Sequence, residues 1–136
     1  MFVGLTNMNS NLNSKLEILI MENNLYQKAY RFAIRIIETN QYLCKEKREF
    51  VLSRQLLKCG TSIGANIAEA NGGISKADFS SKISISYKEC LETKFWISLL
   101  KDTDFISVEQ YESLFKDADE LAKIMFTILK KTRIEK

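Results

Sequence analysis

Glu89 and Glu92 stand one helical turn apart, a spacing at which two carboxylates can grip a hard cation. A second candidate for chemistry is GTSIGANIAEANGGIS, residues 60–75, whose four glycines around an asparagine and a glutamate suggest a phosphate cradle. The thiols of Cys44, Cys59 and Cys90 are the third. Each falls short of what its chemistry needs. A Walker loop requires Gly-Lys-Ser/Thr after four spacer residues and a strand ahead of it. Here no lysine follows Gly64, the pattern ahead is helical, and G-x-G-x-x-G is missing. The chain has no histidine, which removes the commonest general base and metal ligand and rules out the Glu-x-x-His pairs of di-iron bundles. Cys59 and Cys90 fall in apolar stripes, where cysteine acts as a small hydrophobe. Cys44 lies near a helix end with no base to activate it. Glu89 and Glu92 are read as surface or interface charges. The sequence thus predicts no catalytic residue, metal, cofactor or small-molecule substrate.

The elements that carry these residues are helical. The chain has 136 residues, 46% hydrophobic and 27% charged, which fits one globular domain with its own core. Proline is absent, so nothing forbids long helices. Three cysteines without a secretory signal point to a reducing, cytoplasmic setting, and no run reaches the roughly 20 apolar residues of a membrane span. Apolar residues recur at three- and four-residue steps. The first helix sets Leu25, Ala29, Phe32, Ala33, Ile36, Ile37 and Leu43 on one side and ends at CKEKRE. The second runs from about Glu49 to Asn71 on the stripe Leu52, Leu56, Cys59, Ile63, Ile67 and Ala70. Gly72 and Gly73 stop it, with glycine expected in the left-handed conformation. The third starts at a Ser75 cap, with Asp78 three residues on and Ile74 and Phe79 as a hydrophobic staple. Its core stripe is Phe79, Ile83, Tyr87, Cys90, Leu91 and Phe95. The fourth opens on a Ser107–Gln110 capping box with an Ile106–Tyr111 staple and buries Leu114, Ala118, Leu121, Ala122, Met125 and Leu129. Matched lengths and short connections predict an all-α, antiparallel up-down-up-down four-helix bundle over residues 24–133. Residues 1–23 form an extension, partly ordered at best, with a helical lead-in marked by Ser14 and Glu17.

Read as a helix, residues 60–75 make better sense. At about 100° per residue, Gly60, Gly64 and Ala68 align on one flank and Ser62, Asn66 and Glu69 on the other, with Gln55 nearby. Mid-helix glycine costs roughly 1 kcal/mol against alanine, so two imply a close helix contact, within the bundle or between subunits. The polar line Gln55, Ser62, Asn66, Glu69 is expected to be half-buried and hydrogen-bonded to a neighbouring helix end or another subunit, with ligand binding as the alternative.

The run SRQLLKCGTSIGANIAEANGGISKADF resembles the signature of the four-helix-bundle family of 23S ribosomal RNA intervening-sequence proteins. Ser53, Gln55, Leu56, Ser62, Ile63, Asn66, Ile67, Glu69, Ser75 and Phe79 stand where its pattern expects them, and the similarity spans about residues 24–131. Ala70 and Gly73 depart from it, standing where glycine and arginine are usual. The resemblance implies a helical protomer that assembles as a ring-shaped homo-oligomer, commonly a pentamer, without known catalysis.

Two surfaces follow. On helix three, Ile85, Trp96 and Leu99 project within about 60° of one another, with Glu89 and Glu92 in the same sector. Pattern alone leaves open whether a broad core stripe wraps round the helix; the resemblance favours a subunit interface, to which Gly60 and Gly64 are assigned as well. Charge is uneven: residues 101–120 carry two positive and seven negative side chains, and residues 121–136 five positive and one negative. Lys45, Lys47, Arg48, Arg54 and Lys58, with Lys130, Lys131 and Arg133, could contact nucleic acid, although no recognition-helix motif or base-stacking aromatic set is evident. The function read from sequence is a non-enzymatic self-assembling scaffold or adaptor. The alternative is a weak, sequence-independent nucleic-acid-binding accessory protein, or one that docks a nucleic-acid-processing protein.

Overall fold

The computed structural model describes residues 3–134 and contains four helices: α1 (Val3–Lys45), α2 (Leu52–Asn71), α3 (Lys76–Asp102) and α4 (Val108–Ile134). No strand occurs among the described residues. The helices pack in a closed circuit, α1 on α2, α2 on α3, α3 on α4 and α4 on α1, so α1 and α3 occupy diagonal corners. Residue pairs fix the register. Glu17, Lys28 and Arg35 of α1 meet Lys131, Glu120 and Asp117 of α4, one set ascending as the other descends. α1 runs without a break through the expected lead-in, so no helix starts at Ser14.

The helix ends follow local chemistry. Ser107 and Gln110 form the reciprocal capping box, with Ser107 N donating to Gln110 Oε1 at 2.8 Å and Gln110 N to Ser107 Oγ at 3.1 Å. Ser75 caps α3, its Oγ accepting from Asp78 N at 3.0 Å. The cap of α2 went unread in the sequence. Glu49 turns its carboxylate onto the N–H groups of Val51, Leu52 and Ser53 at 2.7–3.1 Å, so the helix begins at Leu52. Two expectations at these ends are corrected. Ile74 is 97% exposed and staples nothing. No glycine has positive φ; Gly72 sits at φ −94°. At Gly73 a Cβ would lie 2.9 Å from the Ala70 carbonyl, so close approach, not handedness, calls for glycine there. The left-handed conformation belongs instead to Arg48 (φ 51°) and Asp104 (φ 66°).

The core between the helices is apolar and continuous. α2 contributes Leu56, Cys59, Ile63, Ile67 and Ala70, as its period predicts, while Leu52 is only partly buried at the edge. α1 contributes Leu25, Ala29, Phe32, Ile36 and Leu43, while Ile37, expected inside, is exposed. α4 buries Leu114, Ala118, Leu121, Ala122, Met125 and Ile128, with Leu129 at the edge. α3 departs from its reading. Leu91 and Phe95 face solvent, and the buried side is Ile83, Ser86, Cys90, Thr93, Ile97 and Leu100. Two small hydroxyls take core positions because both are satisfied: Ser86 donates to the Ile63 carbonyl of α2 at 2.8 Å, and Thr93 to the Glu89 carbonyl at 2.7 Å.

Candidate functional site

Gly60 and Gly64 face α1. A Cβ on Gly60 would stand 2.8 Å from Ile36 Cγ1 and Cγ2, and one on Gly64 would meet Ala29 at 3.6–3.7 Å. Both contacts are made to α1 of the same chain, and Gly60 is buried there. Of the two readings open in sequence, the approach within the bundle accounts for Gly60, whereas the distance from Gly64 to Ala29 is ordinary van der Waals contact.

The polar line of α2 is less interlocked than expected. Ser62 and Asn66 are half-buried but bond within their own helix, Ser62 Oγ to the Lys58 carbonyl at 2.6 Å and Asn66 Nδ2 to the Ser62 carbonyl at 2.8 Å. Gln55 and Glu69 are exposed, and Glu69 Oε1 lies 3.7 Å from Lys82 Nζ of α3. That pair places the line on the rim of α2 next to α3, where it faces the outer residues of α3.

On that outer side Ile85 is exposed, Trp96 and Leu99 are half-buried, and Trp96 Nε1 donates to Glu92 Oε1 at 3.3 Å. The indole packs edge-on against Phe95, with ring centroids 5.0 Å apart, and Phe95 itself is 57% exposed. Glu89, one turn before Glu92, is half-buried. Burial first, then the neighbouring Glu92 charge, push its carboxyl above the usual range against the pull of Lys58. The sequence reading missed a second stripe, on α1. Leu12, Leu16, Ile20, Tyr26, Tyr30, Ile34 and Ile37 are all exposed. At about 100° per residue they fall within about 120° of one another. Contiguous exposed apolar surface is the usual material of partner sites.

The basic candidates divide between the two ends. Lys45, Lys47, Arg48, Arg54 and Lys58 are exposed around the α1–α2 connection and the first half of α2. Lys130 and Arg133 are exposed at the far end of α4, and Lys131 pairs with Glu17 of α1 at 3.3 Å. Burial pushes the thiols of Cys59 and Cys90 up to about 11 and about 12, which leaves them protonated and inert. Among the described residues, no three His, Cys, Asp or Glu side chains gather closely enough to hold a metal. No helix there is long and apolar enough to cross a membrane.

Fold and surface together define an all-helical bundle protein whose distinctive features are surface stripes. The chain belongs to the 23S rRNA-intervening sequence protein family, whose model matches residues 21–127. Among solved structures it is similar to a protein with unknown function from the S23 ribosomal protein family of Bacteroides thetaiotaomicron VPI-5482. The two share 44% identity at a TM-score of 0.80, over 81% of this chain and 98% of that one. A search of curated proteins gives no match.

Proposed function

We propose that this protein is a non-enzymatic, self-assembling scaffold or adaptor of the cytoplasm, an antiparallel up-down-up-down bundle whose copies join into a ring-shaped homopentamer. The observation that carries this reading is the pair of exposed apolar stripes on α1 and α3, helices at diagonal corners. A twofold dimer buries one patch against itself. Two different patches on opposite sides suit a head-to-tail contact that repeats until it closes. Charge supports the same pairing. Lys45, Lys47 and Arg48 stand beside the C-terminal end of α1, and Asp102, Asp104 and Glu109 beside that of α3. Opposite charges at the same end of the two sides steer such a contact and fix its register. Tyr30→Glu in α1 and Trp96→Glu in α3 should each yield smaller assemblies in light scattering with helicity retained. An unchanged mass in both variants removes the proposal.

A second reading, weak sequence-independent nucleic-acid binding, is supported by the exposed cations at both ends of the bundle. A closed ring multiplies each cluster around its axis and makes binding steeply salt-dependent. A nucleic-acid-processing protein docked on the ring is the remaining partner class.

A further inference from the structure

We infer that the cleft between α3 and α4 binds single-stranded nucleic acid, stacking a base on Phe126 and holding the adjoining phosphates with Lys88, Lys130 and Arg133. The inference rests on the nucleic-acid reading above and gives it a site. Two adjoining hollows of about 400 and 460 Å³ form the cleft, and Tyr87 and Phe126 line both. Their ring centroids are 6.4 Å apart at an interplanar angle of 42°, and Phe126 is 57% exposed. The two aromatics lie far apart in the chain and meet only in the fold, so no base-stacking set is visible in the sequence.

Charge is graded along the cleft. At one end Asp119 engages both Lys94 and Lys123, at 2.9 and 3.0 Å, and neutralises part of their field. At the other end Lys88, Lys130 and Arg133 line the hollow with no ion pair among the described residues. Aromatic faces beside unpaired cations are the elements of single-strand recognition: stacking accepts any base, and Lys and Arg track the backbone. A duplex keeps its base faces stacked on one another and has none free for Phe126. A second copy seated here would have to bury three unpaired cations, which is costly.

The test is fluorescence anisotropy of labelled oligothymidylate on the full chain, at low and moderate salt, with a duplex of equal length alongside. Phe126→Ala should weaken single-strand binding about 5- to 150-fold, the range one stacked base commands, and Phe126→Tyr should retain it. Lys130→Gln and Arg133→Gln should each flatten the logarithmic salt slope by about 0.7. Circular dichroism and light scattering on the same samples check fold and mass. Binding that survives Phe126→Ala unchanged overturns the cleft and leaves the broader nucleic-acid reading standing. No binding at low salt overturns both. A fall in mass on Phe126→Ala assigns the cleft to a second copy and overturns the inference.

Discussion

α2 and α3 pack against each other along their length yet are built on different terms. α2 divides cleanly: its apolar stripe is buried, its glycines meet α1, and its polar line lies on the rim. α3 has no such division. It puts Ser86 and Thr93 into the core and turns Ile85, Leu91 and Phe95 outward. A helix that serves one buried surface carries one apolar face. A helix with large apolar side chains on both sides has a second surface to satisfy, and inside the bundle it can use small residues where a neighbour comes close.

The sharpest way to break this contrast is truncation on each helix. Ile63→Ala in α2 should cost about 2–5 kcal/mol in denaturant unfolding. Phe95→Ala in α3 should stay within about 0.5 kcal/mol in the dissociated protomer. Equal costs would mean that the outer side of α3 is core after all. Next comes Gly60→Ala. Alanine favours a helix by about 1 kcal/mol, but a methyl 2.8 Å from Ile36 must force α1 and α2 apart, so a net loss on the order of 1 kcal/mol is expected. A gain in melting temperature would show that the contact is looser. The helix ends differ in the same spirit. Asp104 holds φ 66° without being glycine, so Asp104→Gly should stabilise by about 1 kcal/mol, visible as a raised Tm.

The smallest effects are in titration, and they have opposite signs. Burial works to raise the Glu49 carboxyl, but the backbone N–H groups of Leu52, Ser53 and Val51 outweigh it and hold the carboxyl below its usual range. The stability it gives α2 is therefore present above the unfolded value near 4.3 and lost as pH falls through the depressed folded value. Glu89 is raised, so its contribution is present at low pH and lost as pH rises through its folded value. At neutral pH, Glu49→Gln should destabilise and Glu89→Gln should stabilise. Urea titrations at neutral and acid pH read both, and changes of one sign would undo the contrast.

The sequence made the apolar stripe of α2 and the caps of α3 and α4 legible because their signals are local: a three-to-four period, a Ser107–Gln110 pair, a serine three residues before Asp78. It misread the core side of α3, where apolar residues run all round the helix and only the neighbours decide which face is buried. Ser86 could not be placed without knowing that the Ile63 carbonyl waits across the interface. The α1 stripe escaped notice because Tyr26, Tyr30 and Ile34 interleave with the core residues Leu25, Ala29 and Phe32. The cleft pair Tyr87 and Phe126 is a product of α3–α4 packing alone.

The central claim is that the exposed stripes on α1 and α3 are covered by further copies of the same chain. The solution mass of the purified full-length protein, measured by light scattering across a dilution series, tests it most directly. A stable mass of several protomers, five for the proposed ring, is the expected result. A single-chain mass at every concentration would contradict it.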